Sequence, residues 1–188
     1  MNQSVLRLNT MIKDMQNLVR LSQLEKPTPT GLKRTDINEL LRKLVSEFQS
    51  MTENKSQALT FHPEANVPRI MVTHDIWRVF SNLIENAIKY TGEGGTILVR
   101  TCRDDHHVKV IVKDDGIGIP AKDHHRVFES MYRVEENRPI SSGMGLGLAI
   151  TKRLVEINQG EITLESEPGV GTSFIVTLPI AGEETERG

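Results

Sequence analysis

Apolar residues recur along this chain with two different periods, and the changes between them lay out its elements. Val5, Leu8, Ile12, Met15 and Val19 step by three, four, three and four, the seam of a helix that packs on another helix. Met11, Leu18 and Leu21 widen that stripe into the face of a helical bundle. Lys26-Pro27-Thr28-Pro29-Thr30-Gly31 then breaks the helix, because each proline lacks an N–H and restricts the residue before it. Ile37, Leu40, Leu41, Leu44, Val45 and Phe48 resume a 3.6-residue stripe, with Thr35 or Asp36 as its cap. Ala58 to His62 and Arg69 to Thr73 read as short strands on either side of a proline-bearing turn. Asp75 opens a helix that turns Ile76, Val79, Phe80, Leu83, Ile84, Ala87 and Ile88 inward, and Gly92-Glu93-Gly94-Gly95 ends it.

Beyond that helix the period drops to two. Thr96 to Cys102 and Val108 to Lys113 alternate apolar and polar residues around Arg103-Asp104-Asp105-His106-His107, the pattern of an antiparallel hairpin. A helix follows from about Leu146 to Ile157, and a second hairpin joins Glu161–Glu167 to Thr172–Leu178 through Pro168-Gly169-Val170-Gly171. Helices on one face of a mixed, mainly antiparallel sheet make an α+β two-layer sandwich, preceded by one long helix. The expected organisation is a helical segment over 1–26, a linker over 27–34, the main domain over 35–181 and a polar tail over 182–188.

Composition narrows the function classes. With 37% hydrophobic and 26% charged residues, 188 residues suffice for one good core plus an appendage. A net charge of -2 argues against a general nucleic-acid binder. No apolar run reaches the roughly 20 residues that span a bilayer, so no membrane contact is expected of this segment. Cys102, the single cysteine, has no internal disulfide partner; a cytoplasmic location follows as the expectation, with the anchoring of any longer parent left open.

Three stretches make chemical sense together as a nucleotide site. The helix Asn82-Leu83-Ile84-Glu85-Asn86-Ala87-Ile88-Lys89-Tyr90 presents Asn82, Asn86, Lys89 and Tyr90 toward one side. Asn86 offers a neutral oxygen to a hard cation such as Mg²⁺, which takes one or two protein oxygens beside triphosphate and water. Lys89 lies about one turn on, where it can meet phosphate charge. Asp114 ends a strand, where burying a carboxylate is costly unless it meets a donor such as an adenine amino group. Gly116 and Gly118 let the backbone approach the base. Gly143-Met144-Gly145-Leu146-Gly147-Leu148 runs into a helix, whose free N–H groups attract phosphate. Taken singly, each of these is an ordinary turn or surface residue; their joint occurrence is the signal. Two commoner loops are excluded here: Lys152 follows Thr151 rather than glycine, against a P-loop, and Leu148 stands where a dinucleotide fingerprint has its third glycine.

These blocks resemble, in order, the N, G1, F and G2 boxes of the catalytic ATP-binding domain of sensor histidine kinases. The N box is Asn82–Tyr90, the G1 box Asp114–Gly118, the F box Val127-Phe128-Glu129-Ser130-Met131-Tyr132-Arg133 and the G2 box Gly143–Gly147. The resemblance covers most of Thr35–Pro179 and implies the Bergerat fold shared with gyrase-, chaperone- and mismatch-repair-type ATPases. It implies ATP and Mg²⁺ as cofactors, with Asp114 on adenine, Asn86 on the metal, and Asn82, Lys89 and Arg133 on the phosphates in the catalytic roles. Tyr90, Gly116, Gly118, Ile119, Tyr132, Gly143, Gly145, Leu146, Gly147, Leu148 and Thr172 would complete the nucleotide site. Met131 departs from the family, many of whose members carry an aromatic there, in a segment between Pro120 and Met144 where the resemblance implies a mobile lid.

Met15–Glu25 resembles the end of the second helix of the family's dimerisation and phosphotransfer hairpin, which implies a homodimer through this helix and a response regulator as partner. None of the six histidines has the family's His-Glu-Leu-Arg-Thr-Pro-like context, so the phosphoacceptor is expected upstream and self-phosphorylation of this chain is not expected. Asn82 stands where hydrolases of the superfamily carry a water-activating glutamate, which disfavours hydrolysis as the main activity. A pseudokinase serving as a binding module is the remaining alternative, disfavoured by the intact boxes.

Overall fold

The computed structural model describes residues 31–134 and 145–180. The elements are β1 (Leu32–Thr35), α1 (Ile37–Glu53), β2 (Ala58–His62), β3 (Ile70–Thr73), α2 (Ile76–Tyr90), β4 (Thr96–Arg103), β5 (His107–Asp114), α3 (Gly147–Ile157), β6 (Glu161–Glu167) and β7 (Gly171–Pro179). Two 3₁₀ turns, Ala121–Asp123 and Arg126–Phe128, lie between β5 and α3. Five strands form the main sheet in the order β2-β4-β5-β7-β6, antiparallel throughout except for the parallel pair β2–β4. The expected two-layer sandwich with a mixed, mainly antiparallel sheet is therefore what the chain adopts.

The period-two pattern explains why the sheet is one-sided. Along β5, Val108, Val110, Val112 and Asp114 are buried and alternate with half-buried or exposed residues, and β7 repeats this with Thr172, Phe174, Val176 and Leu178. The buried row meets the apolar stripes of the helices, among them Phe80, Leu83 and Ile84 of α2, all fully buried in one core. Burial of each such side chain contributes roughly 1.5–3 kcal/mol. α2, the most fully covered helix stripe, carries the N box on its opposite edge, so its core contacts fix that edge over the sheet.

Side-chain caps set the helix ends. Asp36 Oδ1 accepts from the Glu39 amide at 2.9 Å and starts α1. At the far end of α2, Gln57 Nε2 donates to the carbonyls of Ile88 (3.0 Å) and Thr91 (2.8 Å), and Lys55 Nζ also reaches Ile88 O at 2.8 Å. Buried Asn158 closes α3: its Nδ2 donates to Leu154 O at 2.8 Å while its Oδ1 accepts from Thr73 N at 2.7 Å. That last pair ties the end of α3 to the segment that begins α2.

The strand pairing corrects the sequence reading at one point and completes it at two others. The linker expected over 27–34 ends too late, because Leu32–Thr35 is a strand paired antiparallel with Ile70–Thr73. β3 makes a separate two-stranded sheet with β1. β2 pairs with β4, from Ala58↔Thr96 to His62↔Arg100, and the pairing is parallel because α2 lies in the crossover between them. The expected N-terminal helix over 1–26 and the tail over 182–188 lie outside the described residues.

Candidate nucleotide site

A cavity of about 560 Å³ opens between α2, the loop after β5, the segment before residue 134 and the start of α3. Of the residues expected from sequence, Asn82, Asn86, Lys89, Tyr90, Asp114, Gly118, Ile119, Tyr132, Arg133, Gly145, Leu146, Gly147, Leu148 and Thr172 all line it. Gly116 is buried beneath the wall rather than in it, and Gly143 lies outside the described residues. Sequence reasoning missed Met51 and Lys55, which reach the rim from the end of α1 and the turn after it. Neither sits in a motif; only the tertiary packing of α1 beside α2 brings them there.

One end of the cavity is built around Asp114. Its side chain is buried, and Oδ1 accepts from the Gly116 amide at 2.9 Å. Burial pushes its carboxyl up to about 6, against the opposing pull of the Gly116 and Thr172 backbone N–H groups. A buried, partly satisfied acceptor at the floor of a pocket is suited to an amino donor on a planar base. Close packing of main chain surrounds it. A Cβ at Gly118 (φ +68°) would stand 2.0 Å from Glu167 O, and one at Gly171 (φ +131°) would stand 2.0 Å from Asp114 O. The loop is stitched on both sides, by Ile117 N to Tyr90 O at 3.3 Å and by Gly169 N to Ile117 O at 2.9 Å.

The other end gathers positive charge. Lys89 is half-buried with its Nζ 5.1 Å from the Tyr90 ring centroid. Desolvation, and secondarily the Arg133 guanidinium, hold its ammonium below the usual lysine range. Two cations that repel each other in one cleft favour an anion between them. The first turn of α3 opens into the same space and contains no acidic residue, so its N-terminal dipole is uncompensated there. Asn82 Nδ2 donates to buried Thr151 Oγ1 at 2.9 Å, and a Cβ at Gly147 would stand 2.4 Å from Asn82 Oδ1. The glycine thus lets α3 approach α2, and the Asn82 carboxamide sits in that contact at the cavity wall.

Asn86 is half-buried and faces the cavity one turn from Asn82. No group of three or more His, Cys, Asp or Glu side chains suited to a metal occurs among the described residues. One neutral oxygen beside a cationic, phosphate-sized cleft fits Mg²⁺ carried mainly by phosphate and water.

The F-box stretch closes the remaining side. Phe128 meets Phe174 edge-to-face at 6.2 Å, which anchors the segment on the sheet. Tyr132 donates its hydroxyl to Asp123 Oδ1 at 2.6 Å, which raises its phenol above the ordinary value, and Arg126 covers the ring at 4.2 Å. Met131 adopts φ +66°, donates its N–H to Gly145 O at 3.0 Å and leaves its side chain 63% exposed. The departure from the aromatic pattern at Met131 therefore replaces no core contact among the described residues.

The family model described as histidine kinase-, DNA gyrase B- and HSP90-like ATPase matches residues 71–182. An adaptive-response sensory kinase SasA of Parasynechococcus marenigrum is 31% identical over 185 residues, 97% of this chain and 48% of the relative. The sensor histidine kinase WalK of Bacillus subtilis is 32% identical over 180 residues, 94% of this chain and 30% of the relative. The chain thus spans less than half the length of either. The solved structure of full-length ShkA in complex with AMPPNP superposes with a TM-score of 0.81 at 26% identity, covering 95% of this chain and 37% of that one.

Proposed function

This chain belongs to the histidine kinase-, DNA gyrase B- and HSP90-like ATPases, and from that membership we propose that it is the kinase core of a sensor histidine kinase. In this reading it binds Mg-ATP and presents the γ-phosphoryl group to a histidine on a dimerisation hairpin, for relay to a response-regulator aspartate. The observation that carries the reading is one cavity with a buried base acceptor, Asp114, at one end and the Lys89–Arg133 cation pair with the open start of α3 at the other. That polarity matches a nucleotide laid base-first.

Each residue then has a task. Asp114 accepts from the adenine amine, and Thr172, Ile119 and Gly118 border the base. Lys89, Arg133 and the N–H groups at the start of α3 oppose charge on the phosphates, so that catalysis is mainly positioning and charge neutralisation. Asn86 would hold Mg²⁺, which supplies further neutralisation. Asn82, tied to Thr151, carries no carboxylate with which to activate water, and this favours transfer over hydrolysis. Dimerisation through the segment 1–26 belongs to the same proposal. Among the described residues no helix is long and apolar enough to cross a membrane.

The test uses γ-labelled ATP with this chain alone and with a complete hairpin domain from the parent protein, carrying either its histidine or glutamine. Acid-labile label should appear on the histidine form only. Strong acid-labile labelling of this chain by itself would refute the assignment and move the acceptor to an internal histidine such as His74.

A further inference from the structure

Asp123 is the one buried carboxylate besides Asp114 among the described residues, and the nucleotide site as drawn above does not use it. It is 4% exposed and lies in the 3₁₀ turn after the G1 loop, outside the cavity lining. A buried carboxylate is costly unless it is well partnered. Its side-chain partner here is the Tyr132 hydroxyl, at the short distance of 2.6 Å. The Arg126 guanidinium lies 4.2 Å over the Tyr132 ring, so the ring is held from its edge and from one face. The main chain is held as well: Met131 N donates to Gly145 O, and Gly145 packs so closely on Tyr132 O that a Cβ there would stand 2.4 Å away.

The residue next in the chain is Arg133, whose charge reaches Lys89 across the cavity. Adjacent residues share a peptide plane, so fixing the Tyr132 side chain fixes where the Arg133 side chain starts. We propose that Asp123 is a positioning residue, which anchors the Tyr132 hydroxyl and thereby sets the Arg133 guanidinium opposite Lys89 for contact with the terminal phosphates of the bound nucleotide. The inference rests on the nucleotide reading above and gives Tyr132 a different duty from direct contact through its hydroxyl. That hydroxyl is turned to Asp123, while Tyr132 is among the residues that line the cavity.

Calorimetric affinities for ATP and for adenosine, with a melting curve for each variant, test the proposal on the intact chain. Asp123→Ala should weaken ATP roughly fivefold, the effect of one charge-assisted contact, and leave adenosine unchanged. Asp123→Asn, which keeps an acceptor oxygen, should recover most of the ATP affinity. Tyr132→Phe should reproduce the loss, and adding it to Asp123→Ala should cost nothing more. In an Arg133→Ala background, Asp123→Ala should have no further effect on ATP. Equal losses for ATP and adenosine, or a full additional loss in the Arg133→Ala background, would overturn the positioning role. Unmodified protein that binds neither ligand would instead overturn the nucleotide reading itself.

Discussion

At the base end of the cavity the shape is set by main chain, whereas at the phosphate end it is set by long side chains. Around Asp114, Gly118 and Gly171 press against carbonyl oxygens with no room for a methyl group, and hydrogen bonds from Ile117 and Gly169 stitch the loop in place. Around Lys89 and Arg133, by contrast, two long cationic side chains line the same cavity, and the Arg133 charge helps hold the Lys89 ammonium below the usual lysine range. The base end is thus pre-formed and its selectivity is built in before ligand arrives. The Lys89–Arg133 end depends instead on where side chains are held, through contacts such as that of Tyr132 with Asp123.

Breaking the rigid end should have the larger effect. Gly118→Ala places a methyl group 2.0 Å from Glu167 O in a left-handed conformation, and should cost on the order of 3 kcal/mol of stability in urea melts while abolishing measurable ATP binding. A variant that binds ATP normally would show that the loop yields, against the comparison drawn here.

Asp114→Asn sharpens the contrast at a smaller scale. ATP should weaken roughly thirtyfold, about 2 kcal/mol, and the preference for ATP over GTP should shrink. The pH series follows from the same carboxyl. Its folded value, about 6, lies above the ordinary 3.8, so the folded chain keeps a proton that the unfolded chain releases between those values. Stability should therefore fall as pH rises through that window and level off above it. Adenosine, which has no titrating phosphate, should behave oppositely and bind more tightly as pH rises toward 6. Both trends should flatten in Asp114→Asn, and a wild-type adenosine affinity indifferent to pH would remove Asp114 from the base contact.

Lys89→Gln should have the smallest effect and a different signature. ATP should weaken roughly fivefold, with the loss fading in high salt, and adenosine should bind as before. An equal effect on adenosine would mean that the two ends are not separable.

Local chemistry was readable from the sequence and distant pairing was not. The Asp36 cap, the stripe of α2 and the glycine turn after β5 are each written within a few residues, and all are found where the pattern places them. β1 is hidden inside the expected linker because its partner, β3, lies more than thirty residues away, and Leu-Lys-Arg-Thr, with a single apolar side chain, carries no period of its own. The parallel β2–β4 pair was invisible for a related reason: its signal is the helical crossover between the strands, not the strands. At the site, box residues were readable because each carries a distinctive chemistry. Lys55 and Gln57, which hold the carbonyl end of α2, look in sequence like ordinary polar residues of a turn.

The position of β6 at the end of the strand order bears on how copies of the molecule behave toward one another. An edge strand offers a row of unpaired amides and carbonyls to any strand that drifts near. Of the four exposed positions along β6, three are Glu161, Glu165 and Glu167, with Thr163 the fourth. A second copy approaching edge to edge in the antiparallel sense would bring a second such row against the first. Like charges meeting in that way oppose the contact at neutral pH, so the strand that completes the sheet also guards it against aggregation.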